Sequence, residues 1–163
     1  MAWQTPPRFL QKVAPKDVLA RVAALPRPLV FTNGVFDLLH CGHAHYLEAA
    51  RCLGNALVVA VNSDDSVRRL NKGKHRPINT LDDRMALLAA LSSVDLVISF
   101  DTDTPLPLIL QISPDVLVKG GDYTAETTAG AAEVIARGGK FVAIPFLFER
   151  STTALVKKLS SPE

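Results

Sequence analysis

The chain has 163 residues, 48% of them hydrophobic and 21% charged, with a formal net charge of +2. That length fills one core but not two ordinary domains, and the apolar content excludes a largely disordered chain. So small a charge, with no basic stripe interleaved with aromatic residues, argues against a nucleic-acid partner and favours a small phosphate compound as the anion to be bound.

Residues 1–28 carry Pro6, Pro7, Pro15, Pro26 and Pro28 and no apolar run of signal-peptide or membrane-span length, so neither export nor a membrane partner is expected. Cys41 and Cys52 have no metal-ligand spacing and outline no disulfide framework, which fits a reduced, cytoplasmic compartment. Between the prolines, Val18, Leu19, Val22 and Ala23 recur at helical spacing. They predict a short helix over 16–24 in an amino-terminal appendage, 1–28, ahead of a main domain, 29–163.

Leu29-Val30-Phe31 reads as a buried strand that turns at Asn33-Gly34. A helix is predicted over 43–53, closed by Gly54. The apolar, β-branched run 56–61 suits a parallel strand covered on both faces, and Asn62-Ser63-Asp64 ends it. A polar segment, 68–79, leads to Thr80, which caps a helix reaching 91, with Asp83 as the acid of a shortened capping box. Strands at 96–98 and 116–118 flank a helix that starts at Thr104-Pro105. A helix over 128–137 stops at Gly138-Gly139, a last strand covers 141–144, and Ser151-Thr152-Thr153 caps a terminal helix.

Strands alternating with helices predict an α/β fold, a Rossmann-like doubly wound parallel sheet of about five strands with helices on both faces. Ligands of such sheets bind beyond the carboxyl ends of the strands, where His40, residues 119–122 and Ser151 all fall. No Gly-x-Gly-x-x-Gly follows the first strand, and no Gly-x4-Gly-Lys-Ser/Thr occurs, so the usual dinucleotide and P-loop phosphate cradles are absent. His40-Cys41-Gly42-His43 offers another: two imidazoles and unpaired N–H groups at a helix start, with a glycine allowing close approach.

Asn33-Gly34-Val35-Phe36-Asp37 with His40-x-Gly-His43 closely resembles the signature of the nucleotidyltransferase superfamily that includes cytidylyltransferases and sugar-phosphate adenylyltransferases. The resemblance runs from about Leu29 to the carboxyl terminus and is nearest to heptose 1-phosphate adenylyltransferases. It implies transfer of AMP from ATP to D-glycero-β-D-manno-heptose 1-phosphate, giving pyrophosphate and ADP-heptose for lipopolysaccharide core assembly, without the sugar kinase fused to this domain in many relatives. It implies catalytic roles for His40, His43, Lys72 and Lys74, the lysines closing over the reacting phosphates. Nucleotide contacts are implied for Thr32, Asn33, Gly34, Val35, Phe36, Gly42, Arg84, Lys119, Gly120, Gly121, Asp122, Ser151 and Thr152. Asp37 is expected to orient the phosphate-binding loop or the acceptor sugar. Mg2+ held mainly through the ATP phosphates, and a homodimer, are further expectations. Some cytidylyltransferase relatives carry an arginine where this chain has Phe146, a contact that Arg150 could replace.

Plainer readings stand beside these. A histidine pair at a helix start can be a cap, Lys72 and Lys74 can be solvated charges, and Arg84 can pair with Asp82, Asp83 or another carboxylate. Gly120-Gly121 can be a turn and Ser151-Thr152-Thr153 a helix cap. His45 and His75 lack any motif, and the two cysteines read as small packing groups. Two rival functions follow: a CTP-dependent cytidylyltransferase acting on glycerol 3-phosphate or a similar alcohol phosphate, and a nucleotide-binding module without turnover.

Overall fold

A computed structural model describes residues 8–14, 17–70, 73 and 76–145. Five apolar segments form strands: β1 (Leu29–Gly34), β2 (Ala56–Asn62), β3 (Leu96–Phe100), β4 (Val116–Gly120) and β5 (Lys140–Ile144). They make one parallel sheet in the order β3-β2-β1-β4-β5, which is the predicted Rossmann-like architecture. Every residue of β2 is buried, as its unbroken apolar run requires of a strand covered on both faces.

Six helices occur among the described residues: α1 (Val18–Ala23), α2 (Cys41–Arg51), α3 (Asp64–Arg69), α4 (Leu81–Ala89), α5 (Leu106–Ile112) and α6 (Ala131–Ala136). Alternate strand residues feed two cores. Val30, Leu57, Val59 and Val61 meet Tyr46, Leu47, Met85 and Leu88 of α2 and α4, while Phe31, Val58 and Leu117 meet Val22, Ile109 and Val134 of α1, α5 and α6. The chain therefore winds outward from β1 with helices on one face, then returns to β4 with helices on the other. Strand order reverses between β1 and β4, which opens a crevice beyond their carboxyl ends.

The ends of several elements differ from expectation for local reasons. α2 begins at Cys41 and not His43, because His40 is extended (φ −141°, ψ 170°) and its carbonyl accepts from His43 N at 2.9 Å and Ala44 N at 3.3 Å. It stops at Arg51, and Gly54 then turns the chain so close to β1 that a Cβ there would collide with Pro28 O and lie 2.7 Å from Val30 Cγ2. α3 was not expected, since its sequence DDSVRR holds one apolar residue, Val67. Ser63 caps it by accepting from Ser66 N at 3.0 Å.

Thr80 caps α4, accepting from Asp83 N at 3.3 Å, but Asp83 receives the Thr80 hydroxyl at 2.7 Å and does not reach back to a backbone N–H. α6 starts at Ala131, after Gly130 at φ +89°, because Thr124, Thr127 and Thr128 bond among themselves in a turn. At the amino terminus a 3-10 turn, Arg8–Lys12, leads to Val13, which bridges to Val97 of β3. Ala14 and Val22 are buried in the main core, so this segment is packed into the sheet's edge.

Candidate active site

A cavity of about 370 Å³ opens at the carboxyl ends of the strands, over the β1/β4 crevice. Its floor is Asn33, Gly34, Val35 and Phe36, the end of β1 and the turn beyond it. His43 and Tyr46 of α2 form the back, Lys119, Gly120 and Tyr123 one wall, and Asn62, Leu70, Phe100, Asp103 and Pro105 the other.

The histidines are set by the start of α2. The His40 and His43 rings stack with centroids 3.9 Å apart and 26° between planes, and Phe36 meets His43 edge-on at 5.3 Å. Gly42 makes the stack possible, since a Cβ there would lie 3.0 Å from Cε1 and Nδ1 of His40. Burial, and then the neighbouring His40 charge, lower the His43 pKa from 6.5 to about 4. At neutral pH His43 is therefore an uncharged imidazole, with one ring N–H to give. His43 Nδ1 is buried without a hydrogen-bond partner among the described residues, which leaves it open to a water or a ligand.

Tyr46, one turn after His43, locks α2 to the sheet. Its hydroxyl meets Thr32 Oγ1 at 2.5 Å and donates to Val118 O at 3.3 Å, so it spans β1 and β4 beneath the cavity. Burial pushes the Tyr46 phenol well above its ordinary pKa. Sequence reasoning passed over Tyr46, although its i+3 spacing from His43 places both on one helix face.

The turn 35–37 is held from below. Phe36 adopts φ +50°, a left-handed conformation unfavourable for an aromatic residue. Arg84 Nη1 donates to Val35 O at 2.7 Å, Nε to Asn79 O at 3.1 Å and Nη2 to Asp64 Oδ1 at 2.7 Å. Asp37, 1% exposed, accepts from Ile78 N, Asn79 N and the Arg76 guanidinium, while Asn79 Nδ2 donates back to Asp37 O at 2.6 Å. The loop after α3 is thereby fastened to the turn that aims Phe36 and α2.

These contacts place several of the expected site residues. Arg84, 0% exposed, is a strut beneath the loop; its carboxylate partner is Asp64, not Asp82 or Asp83. Asp37 accepts from the loop's Ile78 and Asn79 N–H groups, the contacts that a loop-orienting role would use. Thr32 is also fully buried, bonded to Tyr46 behind the floor. Lys119 Nζ bonds Asn33 O at 3.1 Å and Asn33 Oδ1 at 2.6 Å, beside the Tyr123 ring. Gly120 lines the cavity, but Gly121 and Asp122 do not. Gly121 at φ +97° turns the chain away, its N–H bonding Ile144 O at 2.8 Å. Lys72, Lys74, His75, Phe146, Arg150, Ser151, Thr152 and the expected terminal helix lie outside the described residues.

The described residues contain no cluster of three His, Cys, Asp or Glu side chains able to hold a metal ion, and no helix long and apolar enough to cross a membrane. The arrangement suits polyphosphate: stacked imidazoles at a helix amino terminus, with a cation on the facing strand.

Comparison with known proteins agrees with this geometry. Residues 31–162 match the cytidylyltransferase-like family model. The chain is 59% identical, over 93% of its length and 96% of the relative's, to a D-beta-D-heptose 1-phosphate adenylyltransferase of Bordetella bronchiseptica. It is 54% identical to the bifunctional protein HldE of Haemophilus influenzae, of which it spans 30%. A lipopolysaccharide core biosynthesis protein of Thermoplasma volcanium superposes with a TM-score of 0.60 at 30% identity, covering 75% of this chain and 98% of that one. The chain belongs to the cytidylyltransferase-like family of nucleotidyltransferases, among its heptose 1-phosphate adenylyltransferases.

Proposed function

We propose that this protein transfers the adenylyl group of ATP to D-glycero-β-D-manno-heptose 1-phosphate, releasing pyrophosphate and forming ADP-heptose. The reaction class rests on His43, which lines the cavity over the β1/β4 crevice from the amino-terminal turn of α2, with His40 stacked on its ring. The choice of ATP and heptose phosphate rests on 59% identity to an enzyme named for that activity. A product destined for lipopolysaccharide core assembly accords with the name of the Thermoplasma relative.

A phosphate oxygen of the sugar attacks the α-phosphorus in line, the bond to the β-phosphate oxygen breaks, and pyrophosphate leaves with the electron pair. No covalent enzyme intermediate is needed. His43 donates its ring N–H to a phosphate oxygen, and His40 helps to stabilise the negative charge that develops there. The leading N–H groups of α2 face the same oxygens. In this reading Lys72 and Lys74 close over the phosphates, and Ser151 and Thr152 hold the distal ones. Magnesium, bound mainly through the ATP phosphates, would neutralise their charge. Action in the cytoplasm and as a homodimer belongs to the same proposal.

The test is pyrophosphate release with magnesium and heptose 1-phosphate, supplying ATP or CTP in parallel. Sugar-dependent release with ATP is expected. Release with CTP alone would reassign the base, and silence with both would remove the reaction.

A further inference from the structure

The cavity's two side walls carry opposite chemistry. The wall over β4 presents the Lys119 ammonium and the Tyr123 ring, 5.8 Å apart, a cation and a flat face. The wall over β2 and β3 presents Asn62 and Asp103 between Leu70, Phe100 and Pro105. Asn62 closes β2 and is only 6% exposed.

The Asn62 amide is fixed in one sense. Its Nδ2 donates to Ser66 Oγ at 3.0 Å, and Ser66 turns its own proton to Thr102 O at 3.4 Å, so toward Asn62 the hydroxyl acts as acceptor. The amide nitrogen therefore faces Ser66 and the carbonyl oxygen is left over. No donor among the described residues reaches Oδ1, which belongs to a residue more than nine-tenths buried and lining the cavity wall. An acceptor so placed is satisfied by water or by a ligand's donor. At the rim Asp103 adds a carboxylate, held by Arg69 Nε at 2.8 Å.

We infer that this wall reads the hydroxyls of the acceptor sugar, with Asn62 Oδ1 as a specificity-determining contact; the inference rests on the reaction proposed above. An amide carbonyl oxygen has nothing to give a phosphate but takes hydroxyl donors, which a heptose offers in number. The sugar's phosphate then points to His43 at the centre of the cavity, while the nucleotide occupies the β4 wall. Both reactants flank the α-phosphorus, as in-line attack requires.

The test compares wild type with Asn62→Leu, measuring ATP binding by calorimetry without sugar and turnover with heptose 1-phosphate and its monodeoxy analogues. The variant should raise the KM for heptose 1-phosphate roughly tenfold or more, with ATP affinity unchanged. One monodeoxy analogue that wild type discriminates against should be handled by the variant like the parent sugar. An unchanged KM would overturn the inference, as would equal weakening of ATP, which would put the nucleotide on this wall. Absence of wild-type turnover would instead remove the underlying reaction. If Asn62→Leu fails to fold, Ser66→Ala releases the amide and should raise the sugar KM selectively; no rise there overturns the assignment.

Discussion

His40 and His43 stack at 3.9 Å, too close for two imidazolium charges in a partly buried place. His43 stays neutral, with a pKa of about 4 against an ordinary 6.5. Because the unfolded chain takes up this proton first, the stability due to neutral His43 is complete above the ordinary value. It is lost as pH falls toward about 4. NMR titration of the ring should find that low midpoint, and His40→Ala should raise it by removing both cover and charge. A midpoint unmoved by His40→Ala would deny the coupling. Gly42→Ala should push His40 from the stack and cut turnover roughly ten- to hundredfold while thermal melting stays cooperative. This pair was legible in the sequence because the motif is local, four residues at one helix start. Tyr46 was not, since its role depends on Val118, 72 residues away.

At the scale of elements, the loop after α3 and the turn after β1 behave as one unit, joined by Asp37 and Arg84. A buried guanidinium is costly unless paired, and Arg84 is paired with one carboxylate and two carbonyls. Arg84→Met should therefore destabilise the fold by about 3–5 kcal/mol in urea denaturation, and a loss well under 1 kcal/mol would rule out the strut. The nucleotide contact expected of Arg84 came from the family resemblance, and no local pattern in the sequence marks the residue as buried. Its burial follows from α3, the six-residue polar helix whose Asp64 supplies the partner. Without apolar periodicity that helix left no signal, whereas the five β-branched strand cores stood out plainly.

For the whole molecule, strand order does the organising. Reversal between β1 and β4 brings His43, from the first crossover, opposite Lys119, 76 positions later, with Asn33 bonded between strands at the floor. The parallel sheet and the crevice at its carboxyl edge were both legible, since alternation of strand and helix admits few topologies. Which side chains face the cavity was not, because Thr32 and Gly121 sit at the same edge yet turn away from it. The central claim is that a substrate phosphate attacks the α-phosphorus of ATP over the His40–His43 stack. The direct measurement supplies ATP labelled separately at the α- and γ-phosphorus and follows each label in the presence of heptose 1-phosphate. The α-label should appear in the sugar nucleotide and the γ-label in pyrophosphate, and both should be lost in His43→Ala. Transfer of the γ-label to the sugar, or full transfer by His43→Ala, would contradict the account.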